Sequence, residues 1–204
     1  MTPSEYYKQM QVLARSTRTS HGIAGPKVTR SDLRRVYKAL GITIDLWPYP
    51  LKGIRGAYFN DQNGPSVLLA KSLPTDPLVF TMAHELKHHL VDGQGGVSLC
   101  LAENQSAMIE IGAEVFAAEF LFPEEEFAQR LVEMKVGPGA CTPEHLVHLK
   151  KQSQTTLSYA GMVKRAERLG FLPRGSTAKV AWKRLEEQLY GVPVYKRFRR
   201  SPKH

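Results

Sequence analysis

The residues whose types and spacing could do chemistry are His84, Glu85 and His88, in the order H-E-x-x-H. On a helix, positions four apart lie about 40° from one another around the axis. Two neutral imidazoles so spaced can share one divalent cation and leave room for a third ligand and a water. Glu85 is rotated away from both rings, better placed to take a proton from that water and deliver it to a leaving nitrogen than to hold the ion. His89 falls toward the side of the helix and reads as a surface or supporting imidazole. The third ligand must come from elsewhere, and Glu103, Glu110, Glu114 and Glu119 follow on the next helical stretch. Glu110 and Glu114 share a face, whereas Glu119, about 180° from Glu110, is expected to face solvent. Glu110 as ligand with Glu114 accepting a hydrogen bond from a ligand histidine fits this spacing, and so does the reverse. The donor set suits Zn2+, one per chain.

These residues need elements to hold them. Residues 3–15 carry Tyr6, Met10 and Leu13 at helical spacing, and the Ser/Thr/Gly stretch 16–26 reads as a linker, so the first helix is expected to be a loosely attached arm. Thr29 or Ser31 caps a second helix that ends at Gly41. Residues 42–47, 54–60 and 66–70 are strand-like, with turn chemistry at 61–65, which predicts a small, mostly antiparallel sheet. From Asp76 the period becomes 3.6. Val79, Met82, Ala83, Leu86 and Leu90 form an apolar stripe opposite the two histidines, and the helix stops at Asp92-Gly93. A Gly-rich loop, a nearly all-apolar helix over 103–122 and a further helix from Pro123 come next. A helix pair over 142–170 is compatible with a helix-turn-helix. The fold class is therefore α+β, with a helical C-terminal part.

Composition bounds the reading. A chain of 204 residues, 42% hydrophobic and 23% charged, buries a sizeable core in one domain with a small appendage, which excludes a multi-domain machine. No apolar run reaches the roughly 18 residues of a membrane span, and Met1–Lys8 lacks the apolar stretch of a signal peptide, so no membrane partner and a cytoplasmic location are expected. Cys100 and Cys141 stand 41 residues apart, outside any paired motif, which argues for free thiols and against a disulfide framework. Net charge is +6 over residues 1–40, −4 over 41–170 and +7 over 171–204. Basic ends around an acidic middle allow weak contact with nucleic acid.

Two blocks carry a resemblance. Val79-Phe80-Thr81-Met82-Ala83-His84-Glu85-Leu86-Lys87-His88-His89-Leu90 is followed by Glu110-Ile111-Gly112-Ala113-Glu114-Val115-Phe116-Ala117-Ala118-Glu119-Phe120-Leu121-Phe122-Pro123. Together they resemble the ImmA/IrrE family of zinc metallopeptidases. The resemblance implies zinc held by His84, His88 and Glu110, with Glu85 as general base. It also implies a minimal zincin-like core, in which the sheet packs with the H-E-x-x-H helix and a second ligand-bearing helix. The implied activity is an endopeptidase that cuts a partner DNA-binding repressor of the helix-turn-helix kind and so relieves repression. Lys87 stands where family members commonly have Gly, adding a charge beside the site, and Glu114 where Asn or Asp is frequent. The expected division is an N-terminal helix and linker at 1–26, a metallopeptidase core at 27–137, a helix-turn-helix-like appendage at 138–191 and a basic tail at 192–204.

Peptide hydrolysis also needs a donor for the oxyanion, for which His145, His148, Tyr159 and Arg165 are candidates. A different class of function competes: a non-proteolytic regulator that binds DNA or a repressor through the 142–170 helix pair and the basic tail, with a structural or sensory metal.

Overall fold

Thr2 and Glu5 begin the first helix with a reciprocal cap, the Glu5 N–H donating to Thr2 Oγ1 and the Thr2 N–H to Glu5 Oε2. Thr29 and Asp32 repeat the device at the second. The computed structural model describes residues 1–48, 55–93 and 107–192. Its elements are α1 (Pro3–Ser20), α2 (Arg30–Ala39), β1 (Thr43–Trp47), β2 (Gly56–Asp61), β3 (Gly64–Ala70), α3 (Thr75–Lys87), a π-helical turn (His88–Asp92), α4 (Ala107–Leu121), α5 (Glu124–Glu133), α6 (Pro143–Ser153), α7 (Tyr159–Arg168) and α8 (Trp182–Tyr190). Glu103, Cys100, most of the Gly-rich loop and the basic tail fall outside the described residues. No described helix is long and apolar enough to cross a membrane.

The chain forms two compact units, residues 1–126 with 154–158, and residues 127–153 with the chain from Tyr159 onward. This division falls near residue 126, whereas the sequence reading sets its boundaries at 26, 137 and 191. In the first unit a sheet of order β1-β3-β2 packs with α3. β2 and β3 make a tight hairpin, Asp61 pairing with Gly64, and the Asn63 N–H donates to Asp61 Oδ1 inside the turn. β1 runs parallel to β3, Thr43 opposite Ser66 through Trp47 opposite Ala70. The sheet is thus mixed rather than mostly antiparallel. Strand composition sets length and face, while the direction of β1 follows from the edge on which it docks.

α1 is not a loose arm. Tyr6, Met10 and Ala14 are buried against α4, where Gly112 makes room: a Cβ there would lie 2.4 Å from the Tyr6 ring. Arg15 pairs with Glu119 at 2.8 Å, and the buried Arg18 guanidinium donates to the backbone carbonyls of Phe120 and Gly25. Phe120 lies in the last turn of α4, where carbonyls lack helical partners and a cation is favoured. The 1–26 segment thus closes the core, since its stripe has α4 to cover and its two arginines satisfy what would otherwise be stranded acceptors.

In the second unit α6 packs with α7 and α8 around a core that includes Phe127, Leu131, Leu146, Val147, Leu149, Met162 and Ala166.

Candidate metal centre

α3 is buried almost all round, with Leu78, Val79, Thr81, Met82, Ala83, Glu85, Leu86 and Lys87 all out of solvent. The side opposite the Val79/Met82/Leu86 stripe is covered as well: the helix is enclosed by α2, α4, β2 and β3, so both its faces meet protein. His84 keeps 14% side-chain exposure and His88 none. Nor does the regular helix run to Asp92. It gives way at His88 to a π turn, a local widening of the kind found at functional sites.

The π turn sets the site's geometry. His88 Nδ1 lies 2.7 Å from Asp92 Oδ2, which fixes the ring and directs Nε2 toward its neighbours. His84 Nε2 and His88 Nε2 are 3.2 Å apart. Glu110 Oε2 is 3.2 Å from His84 Nε2, and Glu110 Oε1 is 3.5 Å from His88 Nε2. Ligands about 2.0–2.1 Å from a tetrahedral zinc stand about 3.3 Å from one another, so these separations are the edges of such a site. Glu110 Oε1 is also buried without a hydrogen-bond partner, an acceptor that a cation would satisfy. His84, His88 and Glu110 are the group whose donor atoms fall together, all within 4.8 Å, among the described residues. Hydrogen bonding to His84 holds the Glu110 carboxyl below its ordinary range despite partial burial.

Glu85 is buried, on the side of α3 that meets β2. Gly56, which opens β2, is what lets the strand approach: a Cβ there would come within 2.6 Å of Thr81 Cγ2 and 2.9 Å of Glu85 Oε1. From α2, the Tyr37 hydroxyl donates to the Met82 carbonyl at 2.7 Å. Burial, and then the Glu85 charge, push that phenol well above its usual range. β2 also grips the π turn, since Tyr58 Oη lies 3.0 Å from His89 Nδ1 and Asn60 Nδ2 donates to the Gly93 carbonyl at 2.7 Å. His89 is accordingly a half-buried partner of Tyr58, and burial lowers its pKa.

One sequence expectation is reversed on α4. Glu119 is fully buried rather than solvent-facing, because Arg15 pairs with it and the Glu124 N–H, at the start of α5, donates to it at 3.1 Å. Glu114, the alternative to Glu110 in the sequence reading, is exposed. The carboxylate on His88 Nδ1 is Asp92, which the sequence reading used only as a helix stop. Its signal was the spacing: it stands four residues after His88, as His88 stands four after His84. Lys87, expected to add charge beside the site, is wholly buried, its Nζ 2.7 Å from Asp92 Oδ2.

The remaining candidates lie in the second unit and have partners there. The Thr142 N–H donates to His145 Nδ1, His148 Nδ1 is 2.6 Å from Tyr190 Oη, and the Tyr159 hydroxyl donates to Glu186 while its ring stacks on Trp182. Arg165 is buried over the Phe127 ring.

Residues 37–137 match the family model Peptidase_M78, described as an IrrE N-terminal-like domain. The matched stretch contains His84, Glu85, His88, Asp92 and Glu110 and excludes α1, α6 and α7. No curated protein matches the chain.

Proposed function

Residues 37–137 belong to the Peptidase_M78 family of IrrE N-terminal-like domains, a metallopeptidase-like family, and on that premise we propose that the chain is a zinc-dependent endopeptidase acting in the cytoplasm on a partner helix-turn-helix repressor. The observation that carries the reading is the triangle of His84, His88 and Glu110 donor atoms at tetrahedral-edge spacing, with Glu85 next in the chain to His84.

Bound there, zinc supplies Lewis acidity toward the scissile carbonyl and lowers the pKa of a water. The chain's residues do the rest. His88 Nδ1 donates to Asp92, which leaves its Nε2 lone pair for the ion. Glu85 accepts a proton from the attacking water as its oxygen bonds to the carbonyl carbon, and returns that proton to the amide nitrogen as the C–N bond breaks. β2 is one of the two outer strands of the sheet, and among the described residues no strand pairs with its outward edge. An extended substrate segment adding to that edge would run past Gly56, and so past Glu85.

The test pairs metal with cleavage. Glu85→Gln keeps about one zinc per chain and lowers cleavage of co-encoded repressors, followed on a gel, by about 10²–10⁴-fold. Cleavage retained in that variant rejects the mechanism, and wild-type protein that takes up no zinc when it is supplied rejects the peptidase reading. The net charge of +7 over residues 171–204 favours one further reading, a regulator that binds DNA or the repressor without cutting it. Its mark is salt-sensitive DNA binding that Glu85→Gln leaves unchanged.

A further inference from the structure

Lys87 is wholly out of solvent, and an ammonium group buried in this way is costly unless its donors are met. One Nζ bond, at 2.7 Å, goes to Asp92 Oδ2, the same oxygen that lies 2.7 Å from His88 Nδ1. A second, at 3.2 Å, goes to the carbonyl of Ile109, the residue before Glu110. On the remaining side Nζ stands 5.6 Å from the centroid of the Tyr6 ring, within cation–π range, and that ring sits in the space left by Gly112 on α4. One side chain therefore touches the π turn that carries His88, the first turn of α4 that carries Glu110, and α1.

We propose that Lys87 is a positioning residue of the metal centre: by holding the Asp92 carboxylate and the Ile109 carbonyl on one ammonium, it fixes the two ligand-bearing elements relative to each other. α1, outside the family-matched residues, takes part through Tyr6. This rests on the metal-centre reading above. The physical case is preorganisation. Three ligands on two separate helical segments bind an ion tightly only if the segments are held at the right separation before it arrives, and groups that orient ligands are worth about 10–100-fold in metal affinity. The opposite effect is also defined. The lysine charge draws electron density from Asp92, so its removal without a positioning role would make His88 a better donor and tighten binding.

Zinc affinity of the full chain, measured by competition with a chelator, tests the proposal, with Co2+ absorption as a probe of ligand geometry. Lys87→Met is expected to weaken zinc binding about 10–100-fold and to alter the Co2+ spectrum, both read at a temperature at which circular dichroism shows the metal-free variant still folded. Tyr6→Leu is expected to lose about threefold to tenfold. In an Asp92→Asn background Lys87→Met should add less than about threefold, because the lysine acts largely through that carboxylate. Unchanged or tighter zinc binding in Lys87→Met, or losses from Lys87→Met and Asp92→Asn that simply add, overturns the proposal. If Lys87→Met does not fold, Lys87→Gln is titrated against the same outcomes. Wild-type protein that binds no zinc would instead reject the metal centre itself, so the two failures are distinct.

Discussion

In the first unit Lys87 and His88 are withdrawn from solvent around one carboxylate oxygen, and Glu85 and Glu119 are also buried. In the second, His145 and His148 are only half-buried and serve Thr142 and Tyr190, while Glu186 joins Lys151 and Tyr159 at the surface of α6, α7 and α8. Arg165, buried over Phe127, departs from that pattern. A buried ion costs several kcal/mol unless geometry and hydrogen bonds compensate, so the first unit's arrangement exists only because several elements converge on it. The second unit's polar contacts are of the sort that helix caps and surfaces tolerate without further support. What separates His88 from His145 and His148 is that its ring joins the buried Lys87–Asp92 pair.

The contrast is broken most directly by deleting one histidine from each unit. His88→Ala should reduce bound zinc from about one per chain to nearly none, and His148→Ala should leave it unchanged, read by elemental analysis. Equal zinc in both variants would remove the distinction between the units. Next in size is the loss of one carboxylate from each. Glu119→Ala strips the Arg15 pair and the acceptor for the Glu124 N–H and should cost about 3 kcal/mol in urea unfolding; the exposed Glu133→Ala should stay within about 0.5 kcal/mol.

Gly112→Ala sharpens the comparison inside the first unit. Its methyl group would meet the buried Tyr6 ring, so α1 must shift, at about 1–3 kcal/mol in the same measurement. The smallest effect is a matter of pH. Burial pushes the Cys141 thiol up to about 11 from its ordinary value of 9.0. Between these values the unfolded chain has released the proton and the folded one has not. Stability from this group is therefore complete below about pH 9 and lost as the pH rises toward about 11. In a Cys100→Ser background, labelling of Cys141 by a thiolate-selective reagent should be slow at pH 8 and rise only in that window; rapid labelling at pH 8 would show the thiol to be exposed.

Much of the first unit was legible because its signals are local. Thr29 announces a helix start, the turn chemistry at 61–65 announces a hairpin, and H-E-x-x-H announces two imidazoles within reach of one ion. Period alone misread α1 and α4. Tyr6, Met10 and Leu13 look like a short amphipathic arm until α4 is set against α1. Glu119 looks solvent-facing because nothing nearby in the chain shows Arg15, 104 residues earlier, coming to meet it. Asp92 was hidden by a second meaning, since Asp-Gly is also a helix stop.

By itself the sequence determined the donor types, their spacing on α3 and the strands that would flank them, because these depend on backbone periodicity over a few residues. Only the tertiary structure decided that Glu110 faces the histidines while Glu119 pairs with Arg15, that β1 runs parallel to β3, and that Lys87 binds Asp92 rather than facing solvent. Those outcomes depend on how α4 docks between α1 and α3, and docking is set by burial summed over the whole core, where one charged group is accepted only if its partner arrives from a distant part of the chain.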